Sequence, residues 1–96
     1  MSLEELFGNS VLTKVLDFFL ENRFWDYTKT DVANHVDMSR QSMYLNWPTL
    51  EKYGIILPSR KIGGTTLYKT NLESPIVKAL SKLSLSIATQ SIEKIS

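Results

Sequence analysis

The stretch TKTDVANHVDMSRQSMYLNWPTLEKYGII, residues 28 to 56, holds two helix starts, a turn and a helix stop. Thr28 followed three residues later by Asp31 has the form of a capping box, and Val32, Ala33 and Val36 supply an inner side, which predicts a short helix over 29–35. Asp37 and Met38 make the turn. Ser39 is the next N-cap, and behind it Met43, Trp47 and Leu50 fall at spacings of four and three. That is one apolar stripe, with Arg40, Gln41, Tyr44 and Asn46 off it. Pro48 removes the backbone bond to the Tyr44 carbonyl, so a kink or break is expected near Trp47. The pattern resumes with Leu50 and Tyr53 until Gly54, a residue suited to a left-handed cap.

Working outward, residues 55–59 read as a strand in which Pro58 calls for an edge or a bulge. Lys61 and Ile62 lead into Gly63-Gly64, a strong turn signal, and residues 65–69 return, giving a hairpin with basic residues on both arms. Ser74-Pro75 then fits an N-cap and first helical position. Ile76, Leu80, Leu83 and Ile87 follow at spacings of four, three and four, widened by Val77, Leu85, Ala88, Ile92 and Ile95, which predicts a helix over 75–95. Toward the N-terminus, Ser10 caps a helix over 11–21. Its apolar face is Val11, Leu12, Val15, Leu16, Phe18, Phe19 and Leu20, with Thr13, Lys14, Asp17 and Glu21 assigned to the other face and Asn22 and Arg23 closing it. Trp25 and Tyr27 are expected to pair with the hairpin as a third strand. Ser2 and Glu5 fit a capping box for a short first turn presenting Leu3, Leu6 and Phe7.

Ninety-six residues make one domain's length, and 43 % apolar with 22 % charged residues is ordinary globular usage. No apolar run approaches the roughly 20 residues needed to cross a bilayer, and no basic start precedes an apolar run, so a cytoplasmic protein with no membrane partner is expected. The composition contains no cysteine and a single histidine, His35, which argues against a thiolate or histidine-based metal site and against a histidine triad. His35 falls near a helix end, where surface or capping use is the plain reading. Gly63-Gly64 lacks the following helix and spacing of a phosphate loop. No catalytic residue, cofactor or metal is expected, and the chain reads as a non-enzyme.

Net charge is +1, but it is unevenly distributed: residues 1–37 sum to −4, residues 38–69 to +4, and the remainder to +1. Such sorting suits one face turned toward a polyanion, and it also suits a merely solubilising surface. The order of helix, turn, helix and basic hairpin puts Arg40, Gln41 and Tyr44 on the outer side of the second helix, where they can meet base edges or phosphates in a major groove. Arg60, Lys61 and Lys69 on the hairpin can meet phosphates or the adjacent minor groove. The competing reading is a protein-interaction module that holds an acidic partner without binding DNA.

Met38-Ser39-Arg40-Gln41-Ser42-Met43-Tyr44, followed by Leu50-Glu51-Lys52-Tyr53-Gly54-Ile55-Ile56, resembles the recognition helix and following strand of winged helix-turn-helix transcriptional regulators, especially small archaeal ones related to the ArsR and MarR groups. The resemblance covers roughly residues 11–70. It implies an α+β fold, a single winged-helix domain over 1–96, and sequence-specific binding of double-stranded DNA in transcription regulation. Leu45 and Asn46 depart from a commoner polar pair, and the metal-sensing cysteines of some relatives are missing, so no effector is carried over. Members of these groups are usually homodimers, often through terminal helices. Ile76, Leu80, Leu83 and Ile87 are therefore the expected dimer interface, with 75–95 as a C-terminal dimerisation helix.

Overall fold

The computed structural model describes residues 2–95, with the side chains of residues 2–92. Its elements run α1 (Ser2–Phe7), α2 (Val11–Glu21), β1 (Asp26–Tyr27), α3 (Lys29–Val36), α4 (Arg40–Lys52), β2 (Ile56–Ile62), β3 (Thr65–Thr70) and α5 (Pro75–Ile95). Together they form an α+β fold: five helices and one antiparallel sheet of order β1-β3-β2. The side chains of Glu93, Lys94 and Ile95 lie outside the described residues.

The helices start and stop where local chemistry dictates. Ser10, Thr28 and Ser39 each accept a hydrogen bond from the backbone N–H three residues on, which satisfies an amide that has no partner within its helix. The Thr28 box is complete, because the Asp31 carboxylate accepts the Thr28 N–H at 3.0 Å in return. At the end of α2 the Asn22 amide and the Arg23 Nε–H donate to the Phe18 and Leu20 carbonyls. Asp37 closes α3 at φ 55°, a left-handed position that an aspartate tolerates better than most residues. Gly54, at φ 64°, turns the chain out of α4.

α2 lies at the centre and packs against α1, α3, α4, α5 and β3. Phe19, Trp47, Leu50, Val32 and Val15 are buried in one apolar cluster. A run of aromatic contacts ties the layers: Tyr27 meets Phe18 at 4.8 Å, Phe18 meets Phe19, Phe19 meets Trp47 at 5.9 Å and Trp47 meets Tyr68 at 5.1 Å, all edge-on. Tyr27 and Tyr68 are themselves paired across β1 and β3, so sheet and helices share this aromatic layer. The Thr70 hydroxyl adds a buried 2.8 Å bond to the Phe19 carbonyl, an acceptor near the end of α2.

Four expectations are corrected. Asp17 and Thr13 are buried, not on an outer face: α1 folds over them, and Asp17 accepts the Leu3 and Glu4 amides at 3.0 and 3.1 Å. The first helix is therefore capped by a carboxylate fourteen residues away, and of its three apolar residues only Leu3 is buried. Of the kink or break expected near Trp47, the break does not occur: α4 continues past Pro48 to Lys52. Pro48 and Tyr44 are both exposed, so the carbonyl deprived of its bond lies on the solvent side and can be hydrated. Trp25 stays outside the sheet, 69 % exposed, and β1 is only Asp26–Tyr27. The strand expected over 55–59 continues to Ile62 along the sheet edge, with its register shift between Pro58 and Arg60.

Candidate nucleic-acid interface

Ser39 sets the phase of α4. Once Met43, Trp47 and Leu50 are buried, Arg40, Gln41 and Tyr44 must face outward, and all three are exposed. The inner stripe thus fixes the outer one. Arg40 and Tyr44 come together with Lys29, Thr30 and Asn34 of α3 around a cleft of about 390 Å³, floored by Ala33, Met38 and Met43. Its lining includes two cations and no acid. Gln41 lies outside the lining, on the exposed side of the same helix.

Lys29 is the residue that sequence reading missed. A lysine at the first position of a helix is disfavoured by the helix dipole. Here its ammonium sits 5.6 Å from the Trp47 ring and 5.9 Å from those of Tyr44 and Tyr68, so three aromatic faces offset that cost. Only the Thr28 cap, which places residue 29 at the helix start, hinted at it. Trp47 itself is 1 % exposed, and its indole N–H finds no hydrogen-bond partner among the described residues. Leu45, one turn beyond Gln41, is exposed, whereas Asn46 turns back to donate to the Ser42 carbonyl at 2.8 Å.

The hairpin carries the other three cations. Gly63 and Gly64 adopt φ 55° and 83°, the doubly left-handed turn that matches strand twist. Lys61 and Lys69 are exposed. Arg60 is already engaged: its Nε and Nη2 donate to the two carboxylate oxygens of Asp26 at 2.8 and 3.2 Å, and the Ser59 hydroxyl donates to the same carboxylate. The hydrogen bonds from Arg60 hold the Asp26 carboxyl below the usual carboxylate range, and Asp26 raises Arg60 in turn. This fork reaches from β1 across β3 to β2. Lys69 lies beside Asp26 in the register and lines a separate groove with Arg23, Phe24 and Leu57, so the structure does not gather all six expected cation and polar contacts into one cleft.

The expected dimer residues divide. Leu80, Leu83 and Ile87 are half-buried against the chain's own core, while Ile76 is 39 % exposed. Among the described residues no group of three or more metal-ligating side chains occurs, and no helix is long and apolar enough to cross a membrane. Comparison with protein-family models, with characterised proteins and with solved structures finds no match to this chain.

Proposed function

We propose that α3, α4 and the β2–β3 hairpin form a winged helix-turn-helix, and that the protein binds double-stranded DNA sequence-specifically as a homodimeric transcriptional regulator. The observation that carries this reading is the acid-free cleft between α3 and α4, where Lys29 and Arg40 flank Thr30, Asn34 and Tyr44. In a major groove, Arg40 pairs with guanine or a phosphate, Gln41 with adenine, and exposed Leu45 meets a thymine methyl. Lys29, Tyr44, Lys61 and Lys69 hold the backbone and set register. Arg60 acts mainly through the sheet, because its guanidinium is already engaged by Asp26.

The test is a gel-shift titration against random and selected duplexes at several salt concentrations. Wild-type binding should weaken steeply with salt, and Lys61→Ala should lower affinity for every sequence while reducing the log–log slope by about 1. Arg40→Ala should also flatten sequence preference, by about 1–3 kcal/mol at the base it reads. The engaged state of Arg60 and the exposed pair Phe24 and Trp25, 80 % and 69 % exposed, favour the second reading, a protein-interaction module. Absence of binding below about 0.1 mM at 50 mM salt selects that reading, since even non-specific DNA binding reaches this range.

A further inference from the structure

Tyr68 and Thr70 of β3 turn inward, to Trp47 and to the Phe19 carbonyl, so Lys69 between them stands on the outer face of the sheet. Leu57, opposite Lys69 in the register, shares that face. With Arg23, Phe24, Leu72 and Glu73 they line a groove of about 380 Å³ that has no residue in common with the α3–α4 cleft. Phe24 is the most exposed large apolar side chain among the described residues, and Leu72 is exposed as well. Gathered on one groove, Phe24, Leu57 and Leu72 form a patch of the kind that marks a contact surface.

We infer that this groove docks a short segment of another protein in which a carboxylate stands next to a large apolar side chain. The inference deepens the protein-interaction reading above and is compatible with DNA binding, because the groove lies apart from the α3–α4 cleft; Lys69 alone is common to it and to the backbone contacts proposed there. The polar groups of its floor are already spent. Thr70 donates to the Phe19 carbonyl, the Asn71 amide donates to the Gly54 carbonyl, and the Asn71 side-chain oxygen accepts the Glu73 N–H. A small polar ligand therefore finds few partners, and what remains is charge and apolar surface. Arg23 gives its Nε–H to the Leu20 carbonyl, which leaves its two terminal nitrogens. Asp26, opposite Lys69, is held by Arg60 and Ser59. Two cations with no ion-pair partner among the described residues thus stand against one acid, Glu73. A single carboxylate matches them. A nucleic-acid strand does not, since its successive phosphates would meet Glu73 and Asp26 as well as the cations. Phe24, Leu57 and Leu72 seat the neighbouring apolar side chain.

The experiment selects random short peptides on the full chain by display and titrates a labelled peptide from that selection by fluorescence anisotropy. The selected peptides should share an aspartate or glutamate next to a large apolar residue and bind at about 100 μM or tighter. Phe24→Ala should weaken binding at least about tenfold with unchanged melting, because that ring is exposed. Lys69→Glu should weaken it as much, and exchanging the peptide's acid for lysine should restore binding to that variant, which a loss of fold could not produce. Peptides selected without an acid, binding unmoved by Phe24→Ala, or no peptide tighter than about 1 mM overturns the inference. A short oligothymidine that binds the wild type but not Phe24→Ala makes the occupant a nucleic-acid strand, and self-association of the chain that Phe24→Ala abolishes makes it a second copy; either result overturns it too. Duplex binding that depends on Arg40 is read in a separate titration, so failure of this inference and failure of the DNA reading are told apart.

Discussion

The α3–α4 pair and the α1–α5 pair are both helices laid against α2, yet they are held in opposite ways. α3 and α4 begin on side chains three residues from the amides they cap, Thr28 with Asp31 and Ser39 with Ser42. α1 takes its cap from Asp17, and its far end is tied by a 2.8 Å bond from Ser91 to Glu5, eighty-six positions apart in sequence. The first pair carries its own start signals beside the amides they satisfy. The second has no form of its own until the chain has closed, since six residues are too few for a stable isolated helix. Local capping leaves the outer face of α4 free for a ligand, whereas remote capping consumes the groups that hold the ends of the chain together.

The largest test of that contrast is Trp47, where the locally started pair acquires its anchorage. Its ring is buried against Phe19 and Tyr68 and lies under the Lys29 ammonium, so Trp47→Ala should cost about 3–5 kcal/mol in chemical denaturation. Trp47→Phe should cost far less, because it keeps most of the ring and removes an N–H that has no partner among the described residues. Equal losses for the two variants would mean that the indole N–H is satisfied after all. Asp17 comes next. Asp17→Ala strips both α1 amides of a buried acceptor and should cost about 2 kcal/mol, with hydrogen exchange at Leu3 and Glu4 rising more than at Val32. Thr28→Ala, the local counterpart, should cost only about 1 kcal/mol. A Thr28 loss larger than that of Asp17 would reverse the contrast.

The same distinction explains what could be read from the chain. The bounds of α2, the hairpin turn at Gly63-Gly64 and the inner stripe Met43-Trp47-Leu50 follow from neighbours within four residues, and they stand as expected. Asp17 reads as outward from its own helix, which has an outer face there; the packing of α1 makes that face an interior. Leu80, Leu83 and Ile87 form the strongest stripe on α5, and periodicity cannot tell whether a stripe meets its own core or another chain. In the candidate site, Arg40 and Tyr44 were legible from the phase of α4. Lys29 was not, since three rings from two other elements assemble around it only in the fold.

The smallest expected effect lies in the sheet, where a remote tie is exposed rather than buried. Asp26 joins β1 to Ser59 and Arg60 of β2 across β3, with the Arg60 side chain 60 % exposed. Screening by water makes such a pair a weak source of stability, so its removal should register locally and not in global unfolding. The sign follows from the depressed carboxyl. Folding lowers the pKa of Asp26 below its unfolded value, so the stabilisation is fully present above about pH 4 and is lost as pH falls through the folded value below that. Hydrogen exchange across the β1–β3 contact, corrected for intrinsic pH dependence, should therefore become less protected in acid while the core of α2 holds. Asp26→Asn should show the weaker protection already at pH 7 and little further change on acidification. A variant that still loses protection in acid would place the titrating group elsewhere, and the tie at Asp26 would then be incidental to how β1 is held.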